Sequence, residues 1–79
     1  MKIIVHFKEN RIAKYRDLCG MTQSELADSL GVSKNTVSSW ERGEFYPSIA
    51  HSIALEALLA LDHDFVFGPL FDYSFEIVS

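Results

Sequence analysis

The 79-residue chain has few of the residues that punctuate or cross-link a fold: one cysteine, two prolines, four glycines and one tryptophan. A lone Cys19 excludes an internal disulfide and fits a reducing compartment, so the expected location is the cytoplasm. The three histidines, His6, His51 and His63, are scattered without the paired spacing of a zinc site, and no metal or cofactor is expected. No stretch approaches the roughly 18 unbroken apolar residues of a membrane span. Ile3-Ile4-Val5 is too short for a signal-peptide core. No paired carboxylates, nucleophile with a base, or phosphate loop appears, so an enzyme is not expected. Basic residues are also scarce: all seven (Lys2, Lys8, Arg11, Lys14, Arg16, Lys34, Arg42) lie in residues 1–43. With Glu9, Asp17, Glu25, Asp28 and Glu41, that stretch carries +2. Residues 44–79 hold six acids and no Lys or Arg, giving −6 and a total of −4. Attraction for a polyanion must come from the first half and from oriented backbone amides.

What is present suits a packed core. Hydrophobic residues make up 48% of the chain, enough to argue against disorder. The length fits one small domain over residues 1–79, which buries only roughly 60% of its unfolded surface, so pairing would add stability. Lys2–Phe7 is β-branched and aromatic and reads as a short strand. A helix follows from about Asn10, a possible N-cap, to Cys19, and Gly20 ends it. Thr22 with Glu25 three residues on is a capping box for a second helix, with Leu26, Ala27 and Leu30 facing in. Gly31 stops it. Ser33 caps a third helix to about Arg42, with Val37, Trp40 and Glu41 inward, and Gly43 stops that one. Ser48 caps a fourth helix to about Leu61, apolar enough (Ile49, Ile53, Leu55, Leu58) to expect more than one buried face. Phe65-Val66-Phe67 is β-like, Gly68-Pro69 is a turn, and Phe71–Ile77 alternates apolar and polar as a strand with one buried face does. The overall expectation is a mainly α, four-helix domain flanked by short N- and C-terminal strands.

Residues 22–43 are the informative part. Two short helices meet across a tight turn that small Ala27 and Gly31 allow. Leu26, Leu30, Val32, Val37 and Trp40 converge on a common core. The third helix keeps an exposed polar face, Ser33 to Thr36 with Ser38, Ser39 and Arg42. A short helix with an exposed polar N-terminal end can enter a major groove.

Thr22-Gln23-Ser24-Glu25-Leu26-Ala27 and Gly31 to Gly43 resemble the Cro/C1-type helix-turn-helix family, and the likeness runs from about Asn10 to Leu61. The resemblance implies a lambda-repressor-like fold and a regulator that binds double-stranded operator DNA. It implies base contacts from Lys34, Asn35 and Ser39. Phosphate contacts fall to Gln23 and Ser33, with Thr36, Ser38 and Arg42 at the backbone or groove walls and Tyr46 able to serve through its hydroxyl. It also implies a structural ion pair between Arg16 and Glu41. Lys34 can donate to guanine O6 or N7, and Asn35 can bind adenine at N6 and N7. Typical members add a fifth helix. Here a strand stands in its place, as in the smaller Cro-like members, where strands help dimerise. Residues 65–79 are therefore the expected dimerisation segment, with Phe71, Tyr73, Phe75 and Ile77 at the seam. The expected function is a repressor acting as a homodimer on a palindromic operator. The alternative is an antitoxin-like module that binds a protein partner through its acidic, aromatic second half.

Overall fold

The computed structural model describes residues 1–60 and 67–78 (backbone only for residues 7 and 8). Its elements are β1 (Lys2–Asn10), α1 (Ile12–Leu18), α2 (Gln23–Leu30), α3 (Lys34–Glu41), α4 (Ile49–Leu55) running into a π-helical turn (Glu56–Ala60), and β2 (Phe71–Val78). This is the mainly α architecture with flanking strands that the sequence predicts. The expected β character at Phe65 and Val66, and the parts of Leu61 and His63, lie outside the described residues.

The local signals explain most boundaries. Thr22 Oγ1 accepts the Glu25 amide at 3.1 Å and the Glu25 carboxylate accepts the Thr22 amide at 3.0 Å, completing the capping box. Ser33 and Ser48 cap α3 and α4 through the amides of Thr36 and His51. Gly31 closes α2 at φ 70°, a left-handed conformation that only glycine adopts cheaply. Three expectations need correction. The first strand runs on to Asn10, because β2 supplies partners that far. Asn10 is not the geometric N-cap of α1. Arg11 holds that position, while Asn10 Oδ1 reaches over it to the Ile12 amide at 3.1 Å. The fourth helix does not bury more than one face. Leu55, Leu59 and Ala60 are buried, whereas Ile49, Ile53 and Leu58 are exposed.

The core joins all four helices to the start of β2: Ile12, Tyr15, Leu26, Ala27, Val37, Trp40, Leu55, Leu59, Ala60 and Leu70. Cys19 packs at its margin, and its Sγ lies 3.6 Å from the Leu59 carbonyl. Tyr15, Arg11 and Asn10 tie the strands to the helices through polar contacts. The Tyr15 hydroxyl donates to the Gly68 carbonyl and accepts the Phe67 amide at 3.2 Å. Arg11 donates to the Pro69 carbonyl at 2.9 Å and pairs with Asp72 at 2.9 Å. Asn10 Nδ2 donates to the Trp40 carbonyl at 2.8 Å, tying the end of β1 to the end of α3.

β1 and β2 form a two-stranded antiparallel ribbon, in register from Lys2↔Val78 to Phe7↔Tyr73, with an irregularity before Glu9↔Asp72. Directly opposed residues share a face. One face therefore collects Ile3, Val5, Tyr73, Phe75 and Ile77, all exposed. The other is mixed, with His6 Nε2 and Glu76 3.0 Å apart. The core-facing stripe expected of β2 is thus limited to its beginning: Phe71 is half-buried against the core and the later apolar residues face outward.

Candidate nucleic-acid interface

Three side chains hold α3 in place. The Glu41 carboxylate, 8% exposed, accepts Arg16 Nε at 2.7 Å and Arg16 Nη2 at 3.2 Å. Its Oε1 also accepts Gln23 Nε2 at 2.9 Å. Arg16 further donates to the Met21 carbonyl at 2.9 Å. One carboxylate at the end of α3 thus joins α1 and α2, and the Glu41 hydrogen bonds push the Arg16 guanidinium above its ordinary pKa. Arg16 and Glu41 form the ion pair the family resemblance implies.

With its back fixed, α3 turns Lys34 and Asn35 to solvent, both exposed. Lys34 borders a shallow concavity of about 600 Å³ with Arg16, Asp17, Met21, Thr22, Gln23 and Ser24. At this end of α2 the amides of Gln23 and Ser24 have no intrahelical acceptor. An ammonium group beside the positive end of a helix attracts an anion, and the Asp17 carboxylate on the same rim opposes it. Gln23 lines this concavity with one of its Nε2 hydrogens given to Glu41. The second Nε2 hydrogen and the backbone N–H are the donors it can offer a ligand.

The remaining expected contact residues divide by what they already hold. Ser33 Oγ and Thr36 Oγ1 lie 2.9 Å apart within the cap. Arg42 grips Glu44 through Nε at 2.9 Å and Nη2 at 3.1 Å, and also donates to Ser38. Those hydrogen bonds and charges raise the Arg42 pKa and hold Glu44 below the usual carboxylate range, with a further hydrogen bond from Ser39. Arg42 therefore already carries its own counter-ion. Tyr46 is half-buried, its ring 5.9 Å from that of Phe71, and burial followed by the Asp72 charge raises its pKa. It sits nearer the core than a backbone-contacting residue is expected to.

Phe45 was no part of the sequence expectation. It is 68% exposed and lines a concavity of about 290 Å³ with Asn35, Thr36, Ser39 and Trp40. The sequence signal was there: an apolar phenyl ring beside Tyr46 in the three-residue stretch between Gly43 and Pro47. The Arg42–Glu44 and Gln23–Glu41 contacts were missed as well, the first readable as opposite charges two residues apart. Among the described residues, no cluster of three or more His, Cys, Asp or Glu is arranged to hold a metal, and no helix is long and apolar enough to cross a membrane.

Residues 12–66 match the profile of a helix-turn-helix family. The chain is similar to an HTH-type transcriptional regulator of Methanothermobacter thermautotrophicus, 37% identical over 62 residues that cover 67% of this chain and 90% of the relative. A second regulator of that description, from Archaeoglobus fulgidus, is 37% identical over 66 residues, covering 73% of this chain and 94% of its own. A third, from Methanocaldococcus jannaschii, is 42% identical over 41 residues, 52% of this chain and 62% of the relative. No solved structure gives a significant match.

Proposed function

The chain belongs to the Cro/C1-type helix-turn-helix family, and from that premise we propose that it represses transcription by holding a palindromic operator as a homodimer. Its family is one of DNA-binding transcriptional regulators, and double-stranded DNA is its ligand. The observation that carries the finer reading is the exposed Lys34–Asn35 end of α3, fixed from behind by the Arg16–Glu41–Gln23 cluster. Lys34 and Asn35 read bases, with Ser39 beside them at the groove floor. Gln23, Ser33, Thr36, Ser38 and Arg42 steady the backbone, and a phosphate sits between Lys34 and the start of α2. Tyr46 has the weakest claim among the backbone contacts, being half-buried.

The homodimer rests on the ribbon. A two-stranded ribbon wet on both faces is marginal alone, and five exposed apolar side chains on one face favour a second copy stacked on it. Tyr73, Phe75 and Ile77 of residues 65–79 supply half of that seam, and Ile3 and Val5 of β1 the other half. Phe71 continues the same face of β2 at its core end, where it is half-buried. Two such protomers present paired α3 helices to half-sites about 34 Å apart. Repression follows from occupancy that excludes polymerase.

The test combines light scattering with footprinting on the DNA upstream of its own gene. A dimer protecting two inverted half-sites one helical turn apart is expected, and Phe75→Ser with Ile77→Ser should yield a monomer. A wild-type monomer that ignores that DNA would favour the other reading, in which the exposed aromatic ribbon and acidic second half bind a protein partner.

A further inference from the structure

We propose that the concavity formed by Asn35, Ser39 and Phe45 receives the 5-methyl group of a thymine in each half-site, with Phe45 as a specificity-determining residue. The inference rests on α3 entering the major groove.

Phe45 is the most solvent-exposed aromatic side chain among the described residues, at 68%. It stands beside the helix argued to read DNA and is no part of the buried core that includes Trp40. The concavity it borders is lined by the aromatic side chains of Phe45 and Trp40 and the polar side chains of Asn35, Thr36 and Ser39. A major-groove A·T pair presents the same split. Adenine offers N7 and the N6 amino group, and its partner thymine offers O4 and a methyl group. An Asn35 amide on adenine brings a thymine methyl, of that pair or of the next step, to the side where the phenyl ring lies. Guanine and cytosine carry no apolar group in the groove, so the phenyl wall has no counterpart there. Arg42, near the same end of α3, is already held by Glu44.

The experiment starts with selection of bound duplexes from a random pool by the full chain. Each thymine of the selected site is then replaced by deoxyuridine, which removes the methyl and keeps the base pairing. Affinities of wild type and Phe45→Ala are measured for every replacement. Phe45 is exposed and outside the core, so the variant keeps its fold, to be checked by circular dichroism. One thymine per half-site should cost wild type about fourfold in affinity when its methyl is removed, the size of one methyl group's apolar transfer. Phe45→Ala should lose that sensitivity. If wild type is insensitive at every thymine, or if Phe45→Ala stays equally sensitive, the inference fails while DNA reading by α3 stands. If no sequence is enriched at all, DNA reading by α3 fails and takes this inference with it.

Discussion

Replacing Glu41 by alanine removes the one acceptor shared by Arg16 Nε, Arg16 Nη2 and Gln23 Nε2. The guanidinium left behind is 14% exposed, so water cannot fully re-solvate it. Breaking a buried pair from one side costs about 3–5 kcal/mol. Arg16 keeps the Met21 carbonyl and a solvent-facing Asp17 at 3.3 Å, which places the loss near the lower end, about 3 kcal/mol. A chain of this length is stable by about 4–12 kcal/mol, so the variant folds with a much thinner margin. Its melting temperature should fall by about 12–24 °C, read by circular dichroism with urea unfolding alongside. Arg16→Ala should lose a comparable amount. The double variant should lose less than the sum, because each single change already breaks the same contact. A fall of under about 4 °C for Glu41→Ala would refute the claim that this cluster holds α3 in place.

Other consequences follow from the same contacts. Glu44→Gln should leave the urea midpoint almost unchanged, because the Arg42–Glu44 pair is more than half exposed and such pairs are worth little. It should also free Arg42, tightening binding to random duplex and steepening its salt dependence by about one phosphate's worth. Gly31→Ala should cost about 1–2 kcal/mol by chemical denaturation. A Cβ there meets nothing within 4 Å, so the whole cost is the left-handed backbone. Tyr15→Phe strands the Gly68 carbonyl and the Phe67 amide and should cost about 1–3 kcal/mol. Glu25 and Glu44 are both more acidic folded than unfolded, through the capping hydrogen bonds and through Arg42. The stability they contribute is complete above the ordinary glutamate pKa of 4.5 and is lost as pH falls through their lower folded values. The urea midpoint should therefore drop below about pH 4.5, and less steeply in Glu25→Gln.

The helices were legible because their signals are local. Thr22 with Glu25, Ser33, Ser48 and Gly31 specify caps and turns within a few residues, and Leu26, Ala27, Val37 and Trp40 mark the inward faces. The ion pair was legible through family resemblance alone, since nothing in the spacing of Arg16 and Glu41 brings them together. The ends of the chain were read less well. Pairing of β1 with β2 spans almost the whole sequence, so its length and register depend on a partner no window contains. Alternation in Phe71–Ile77 correctly gave a strand. It could not say whether the apolar face meets the core, as at Phe71, or stands open, as at Phe75. Around α3, polar residues were expected to be free. The structure instead engages Ser38, Arg42 and Gln23 with neighbours within the chain.

The most direct test of DNA reading by α3 is a pair of anisotropy titrations at matched salt, one with the selected operator and one with a scrambled duplex. Lys34→Ala and Asn35→Ala should each weaken operator binding about five- to 150-fold, the range of one lost base contact, and change scrambled-duplex binding far less. Equal losses on both duplexes, or no loss on either, would contradict the account.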